Sequence, residues 1–205
     1  MEKQQKIPPH LAPQEGEIIM FENPVLERLS RISPITVLAI FAPAAIVSTG
    51  YSVYLGVSPG RTAGLFLGGL LFWSFFEYVM HRFVFHFWPK GEFQTKLQFT
   101  MHGVHHQYPN DKDRLVMPIT VSIPISLLIL WLFTATLGLQ AWGFFGGLVS
   151  GYLAYDMIHY SVHHWTNMKS PLMRKIRRHH MAHHFRDTNK GFGVSSYAWD
   201  RVFRT

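Results

Sequence analysis

TAGLFLGGLLFWSFFEYVMHRFVFH, residues 62–86, decides what kind of molecule this chain makes. Residues 62–80 carry a single charge, Glu77, and the run then turns at His81 into the pattern H-x4-H. A helix needs about 20 predominantly apolar residues to cross a bilayer. The stretch therefore predicts a membrane span, from about Thr62 to Met80, that delivers two imidazoles at its end.

Three further runs read the same way: about Pro34–Leu55, about Met117–Gly138 and about Ala141–Tyr160. Pro43, Pro124 and the glycines at 68, 69, 146, 147 and 151 do not argue against helices in lipid, where such residues are tolerated and let backbones approach. Charged residues make up 15% of the 205-residue chain, against roughly 25% in soluble domains. An all-α membrane protein with four transmembrane helices follows, and a soluble helical core is disfavoured.

Outside the spans, residues 1–20 are polar and Pro-rich and read as a disordered tail, with no apolar run of the kind a cleaved signal peptide carries. Residues 21–205 read as one domain. Within FENPVLERLSRIS (21–33), the apolar Phe21, Val25, Leu26, Leu29 and Ile32 recur near helical spacing, which suits either a helix on the membrane surface or a plain linker.

The chain has net charge +7 and no cysteine, so thiolate ligands and disulfides are excluded. Its basic residues flank the apolar runs, which favours the lipid bilayer over nucleic acid as the partner. Of 19 Lys and Arg, only Arg61 falls in the loops after spans one and three. By the excess of basic residues in cytoplasmic segments, both termini and all the histidine-bearing segments face the cytoplasm.

The histidines fall into four groups. His81 and His86 form H-x4-H; His102, His105 and His106 form H-x2-H-H; His159 and His163 form H-x3-H; His180, His183 and His184 repeat H-x2-H-H. Helix positions i, i+3 and i+4 share a face. Each H-x2-H-H is therefore expected to aim three rings at one point. Residues i and i+5 lie roughly 140° apart on an α-helix, so His81 and His86 either cooperate through an end or bulge of the helix between them or address different ions; the second, with the helix fraying near His86, is the preferred expectation.

Ten imidazoles exceed what one ion accepts and suit two metal ions of five or six positions each. Imidazole serves iron, zinc, copper and nickel alike, so the ligands do not name the metal. His164 and His179 are read as neighbours of the ligands, and His10 as an unrelated tail residue. Glu77 and Asp156 sit about one turn before His81 and His159, and carboxylates there are expected to receive the ligands' second N–H.

The quoted residues, with HGVHHQYPNDKDRLVMP (102–118), YDMIHYSVHH (155–164) and HHMAHHFRDTNKGFGVSSYAWDRVF (179–203), resemble the fatty acid 2-hydroxylases of the integral-membrane fatty acid hydroxylase and sterol desaturase superfamily. The histidine spacing belongs to the whole superfamily, whereas DKDRLVMP and the C-terminal GFGVSS and WDRVF are closer to the 2-hydroxylase branch. The resemblance implies four membrane helices under a cytosolic cap and a di-metal centre on the ten histidines. It implies iron as the working metal, with zinc in recombinant material. It further implies O2-dependent hydroxylation at C2 of a fatty acid or of the N-acyl chain of a ceramide or other sphingolipid. Eukaryotic members of that family often carry a cytochrome b5 domain that these 205 residues do not contain, so electrons are expected from an external cytochrome b5-like or ferredoxin protein. The expected host membrane is a bacterial inner membrane or the endoplasmic reticulum.

Trp73, Phe75, Phe76, Tyr152 and Tyr155 are candidates to line an acyl path, and Lys112 and Arg114 to meet a headgroup. The spacing alone also permits a sterol oxidase, a carotenoid hydroxylase, a desaturase or a non-enzymatic metal transporter.

Overall fold

The computed structural model describes residues 7, 8 and 11–205, so His10 lies outside the described residues. Helices account for all the regular structure among them. They are α1 (Pro24–Ser30), α2 (Pro34–Tyr54), α3 (Pro59–Val79), α4 (Glu92–Gln98), α5 (Val104–Gln107), α6 (Ile119–Leu137), α7 (Ala141–His164), α8 (Pro171–Phe185) and α9 (Ala198–Phe203). Two π-helical stretches interrupt the order, Met80–Phe85 after α3 and Phe99–Gly103 after α4, and a 3-10 turn, Gly138–Gln140, joins α6 to α7.

Local chemistry explains several of these boundaries. Ser33 caps α2 by accepting from the Ile35 N–H, and Ser170 caps α8 by accepting from Met173, with proline next in line at Pro34 and Pro171. Gly138 takes φ +58° and stops α6.

Three continuous helical stretches, not four, are long and apolar enough to cross a membrane: Pro34–Tyr54, Pro59–Phe85 and Ile119–His164. The third, 46 residues, merges the expected third and fourth spans across the 3-10 turn. It is not straight, because the rings of Phe133 and Phe144 touch edge to face with centroids 4.9 Å apart. Eleven residues of unbroken helix would hold their backbones about 16 Å apart.

The chain divides into two compact units. One, Leu29–Phe75 with Val116–Met157, holds the apolar helices. Its polarity runs opposite to that of a water-soluble bundle. Ser48 donates to the Trp142 carbonyl and Ser52 pairs with Thr62 in the interior, while Leu127, Leu128, Trp131 and Leu132 face outward. Such a surface suits hydrocarbon as solvent. Inside this unit, glycines on α3 and α7 let helices meet backbone to backbone. A Cβ on Gly147 would stand 1.9 Å from the Phe66 carbonyl oxygen, and one on Gly69 2.0 Å from that of Phe144. Trp73, Tyr152 and Tyr155 pack as one aromatic cluster, with centroids 5.4 and 5.9 Å from Trp73.

The other unit comprises the described residues up to Arg28, Phe76–Leu115 and Ile158–Thr205. Part of the stretch expected as a tail packs here: Leu11 is buried, and Tyr108 donates its hydroxyl to Gln14. Arg114, expected to meet a headgroup, is buried instead. It pairs with Glu27 and donates to the Ile18 carbonyl at 3.1 Å, whereas Lys112 stays exposed.

Candidate metal centre

All ten histidines of the four motifs come together within the second unit, in two groups of five. One group is His81, His86, His102, His106 and His183; the other is His105, His159, His163, His180 and His184. Within each group one nitrogen per ring lies within 4.8 Å of all the others. His164 packs tilted against Tyr160 and His179 bonds Asp200, and neither joins a group.

Helix geometry explains the sorting, and corrects two expectations. The three i, i+4 pairs (His102 with His106, His159 with His163, His180 with His184) each serve one group. The middle member of each H-x2-H-H goes to the other group, so the motifs do not aim three rings at one point. Adjacent residues diverge by about 100° on a helix, which turns His105 away from His106 and His183 away from His184.

His81 and His86, expected to part, share a group. The helix is π-wound between them, with the His86 N–H on the His81 carbonyl at 3.1 Å, and a π turn brings residue i+5 back over residue i. The second π stretch carries His102 into α5.

The ring nitrogens are too close, and too many, for hydrogen bonding to explain. His106 Nε2 lies 3.1 Å from His86 Nε2, 3.1 Å from His102 Nε2 and 3.2 Å from His183 Nε2. A neutral imidazole nitrogen has one proton or one lone pair to offer, so it satisfies one such contact. A central cation satisfies all of them. Imidazole nitrogens bound about 2.1 Å from an ion stand about 3.0 Å apart at right angles and about 3.4 Å apart in a tetrahedron. His81–His102 at 3.0 Å, His86–His183 at 3.0 Å and His105–His184 at 3.1 Å fit the right-angled arrangement.

Burial, reinforced by the mutual repulsion of neighbouring imidazolium charges, holds His86, His102, His105, His106, His180, His183 and His184 well below the ordinary histidine value. These rings are therefore neutral at physiological pH, the form that binds a metal. The residues present fit two metal ions.

Glu77 is engaged differently from expectation. Glu77 accepts from the backbone N–H groups of Val194 and Ser195, both at 2.8 Å, and from the Ser195 hydroxyl. The N–H of His81 Nδ1 goes to the Phe192 carbonyl at 2.5 Å. Asp156 is buried one turn before His159 on the same helix. Sequence reasoning assigned no role to Asp200, which is buried and accepts from four donors. The sequence offers one signal for it: Asp200 is the single acidic residue in 191–205, and it is buried.

Apolar helices long enough for a membrane and two buried five-histidine groups define an integral-membrane protein with a two-site histidine metal centre. The chain belongs to the fatty acid hydroxylase family, whose pattern residues 66–205 match. It is 36% identical over 168 residues to the dihydroceramide fatty acyl 2-hydroxylase FAH1 of Arabidopsis thaliana, covering 81% of this chain and 70% of that one. It is 42% identical over 149 residues to the fatty acid 2-hydroxylase of Mus musculus, covering 69% of this chain and 39% of that one. The solved structure of scs7p, in which only the hydroxylase domain is visible, superposes with TM-score 0.84 at 33% identity, covering 90% of this chain and 70% of that one.

Proposed function

We propose that this chain hydroxylates C2 of a fatty acid, or of the N-acyl chain of a sphingolipid, with two iron ions and O2. The observation that carries the reading is the division of ten imidazoles, nine of them buried, into two five-nitrogen groups, in a family whose similar members are named for acyl 2-hydroxylation. A metal pair bound there would supply O2 activation and oxidation of an unactivated C–H bond, which no side chain performs. Iron is favoured over zinc because the reaction requires a change of oxidation state, and zinc offers none.

The protein's own residues hold, orient and seal. Histidines His81, His86, His102, His106 and His183 would hold one ion, and His105, His159, His163, His180 and His184 the other. Their burial keeps bulk water from a strong oxidant. Glu77 braces the loop against His81, and Asp156 sits one turn before His159 on α7. The fold behind this reading has four crossings: the 46-residue stretch would span about 69 Å if straight, more than twice the hydrocarbon thickness, and Phe133 meets Phe144 across its turn. Both termini and the histidines then lie on the cytoplasmic side, where an external cytochrome b5-like or ferredoxin protein would deliver electrons.

The test is direct. Iron-loaded protein in detergent or lipid, supplied with reductant, O2 and either a free fatty acid or a ceramide, is expected to yield the 2-hydroxy product. Metal-stripped protein and the His105→Ala and His183→Ala variants are expected to yield none. Hydroxylation at another carbon, a double bond, or no O2 consumption by protein carrying two irons would overturn the reading.

A further inference from the structure

The loop from Lys190 to Ser195 has no regular structure, yet four consecutive N–H groups in it are held by two buried carboxylates. Phe192 and Gly193 donate to the two oxygens of Asp200, at 2.9 and 2.8 Å. Val194 and Ser195 donate to Glu77. The loop's carbonyls point the other way, at metal-site rings. Phe192 accepts from His81 Nδ1, and Lys190 accepts from His183 Nδ1 at 2.7 Å. Both rings belong to the same five-histidine group.

One peptide unit links a carboxylate to a metal-site ring. The Gly193 N–H donates to Asp200 Oδ2, and the carbonyl of that same peptide, on Phe192, accepts from His81. A carboxylate on the N–H end of a peptide makes its carbonyl a stronger acceptor, since chained hydrogen bonds polarise one another. A ligating imidazole commonly gives its second N–H to a carboxylate or a carbonyl, which fixes its tautomer and raises its basicity. Here the two arrangements are joined in series.

The backbone is shaped for this. Gly191 has φ +76°, and a Cβ on Gly193 would stand 2.0 Å from the Ser196 carbonyl oxygen and 2.9 Å from Asp200 Oδ2. Asp200 also accepts from His179 Nε2 at 3.0 Å and from the Thr205 hydroxyl at 2.8 Å. Burial opposes its charge, but these hydrogen bonds together outweigh burial and keep the carboxyl below its ordinary value.

We propose that Asp200 is a positioning residue for one of the two metals: it acts through the Phe192–Gly193 peptide on His81, and by bracing the loop on His183, with Glu77 holding the loop's next two residues. The inference rests on the two-metal reading above.

The test is metal retention. Protein loaded with two ions per chain is dialysed against a graded series of a chelator, and metal per chain is measured together with the thermal midpoint. In Asp200→Asn one ion is expected to leave at chelator strengths roughly 10–100-fold lower than in the parent, with the other unchanged. His81→Ala serves as the reference for loss at that group. Ser195→Ala, which removes one of three hydrogen bonds to Glu77 and keeps both carboxylates, is expected to loosen the same ion by roughly 2–10-fold. That milder variant carries the test if Asp200→Asn does not fold.

Retention of both ions at parental strength would overturn the inference. So would simultaneous loss of both ions alongside a lowered midpoint, the behaviour of a merely structural residue. A parent protein that never holds two ions would instead overturn the two-metal reading on which the inference stands.

Discussion

At the scale of single residues, neighbours in sequence have separate duties. His105 and His106 are adjacent yet belong to different groups, so His105→Ala and His106→Ala are each expected to leave one metal per chain, and the double variant none. Elemental analysis of the purified variants checks this. Had both rings served one ion, the double variant would still hold a metal. Arg114 matters for stability instead. Its side chain is 2% exposed and pairs with Glu27, which is 15% exposed, with Asp111 a more distant partner at 3.6 Å. Glu27→Ala is expected to cost about 3 kcal/mol, because it strips a buried cation of its nearer carboxylate. In a chain of this size that is a fall of about 6–12 °C in thermal midpoint. The sequence suggested a headgroup contact for Arg114, together with Lys112, since both lie just before an apolar span. Glu27 lies 87 residues away along the chain, and no local pattern joins the two.

At the scale of elements, glycine means opposite things at different points on one helix. On α3, a Cβ at Gly69 would collide with the α7 backbone, whereas one at Gly64 meets nothing within 4 Å. Gly69→Ala and Gly147→Ala are therefore expected to lower the thermal midpoint, by about 1–3 kcal/mol or more of overpacking. Gly64→Ala is expected to leave it unchanged or raise it. The apolar spans and the positions of the histidines were legible in the sequence because lipid demands length and low charge, and both can be read residue by residue. The π turns were not. The i+5 spacing of His81 and His86 looks like divergence on an α-helix, and only the hydrogen bond from His86 back to His81 shows convergence. The placing of His183 in one group and of His180 and His184 in the other was also hidden, since it depends on which helices face each turn of α8.

At the scale of the whole molecule, the four-crossing reading has an accessible test, because the chain has no native cysteine. Single cysteines at Lys90 and Lys169 are expected to react with an impermeant thiol reagent from one side of sealed vesicles, and those at Gly60 and Leu139 from the other. A cysteine at Leu139 that reacts from the same side as Lys90 would contradict the hairpin. The loop braced by Asp200 and Glu77 lay beyond sequence reasoning for a different reason: its work is done by backbone carbonyls, which every residue owns and no sequence displays. Finally, the two adjacent histidine pairs have a metric consequence. Each pair plants one ring in either group, with centroids 5.9 Å apart for His105 and His106 and 5.7 Å for His183 and His184. The gap between the two centres is thus bridged twice by a single peptide link, whose Cα atoms stand about 3.8 Å apart by covalent geometry. Bond lengths do not breathe as packed side chains do, so the chain carries its own ruler for the spacing of whatever the two pockets hold.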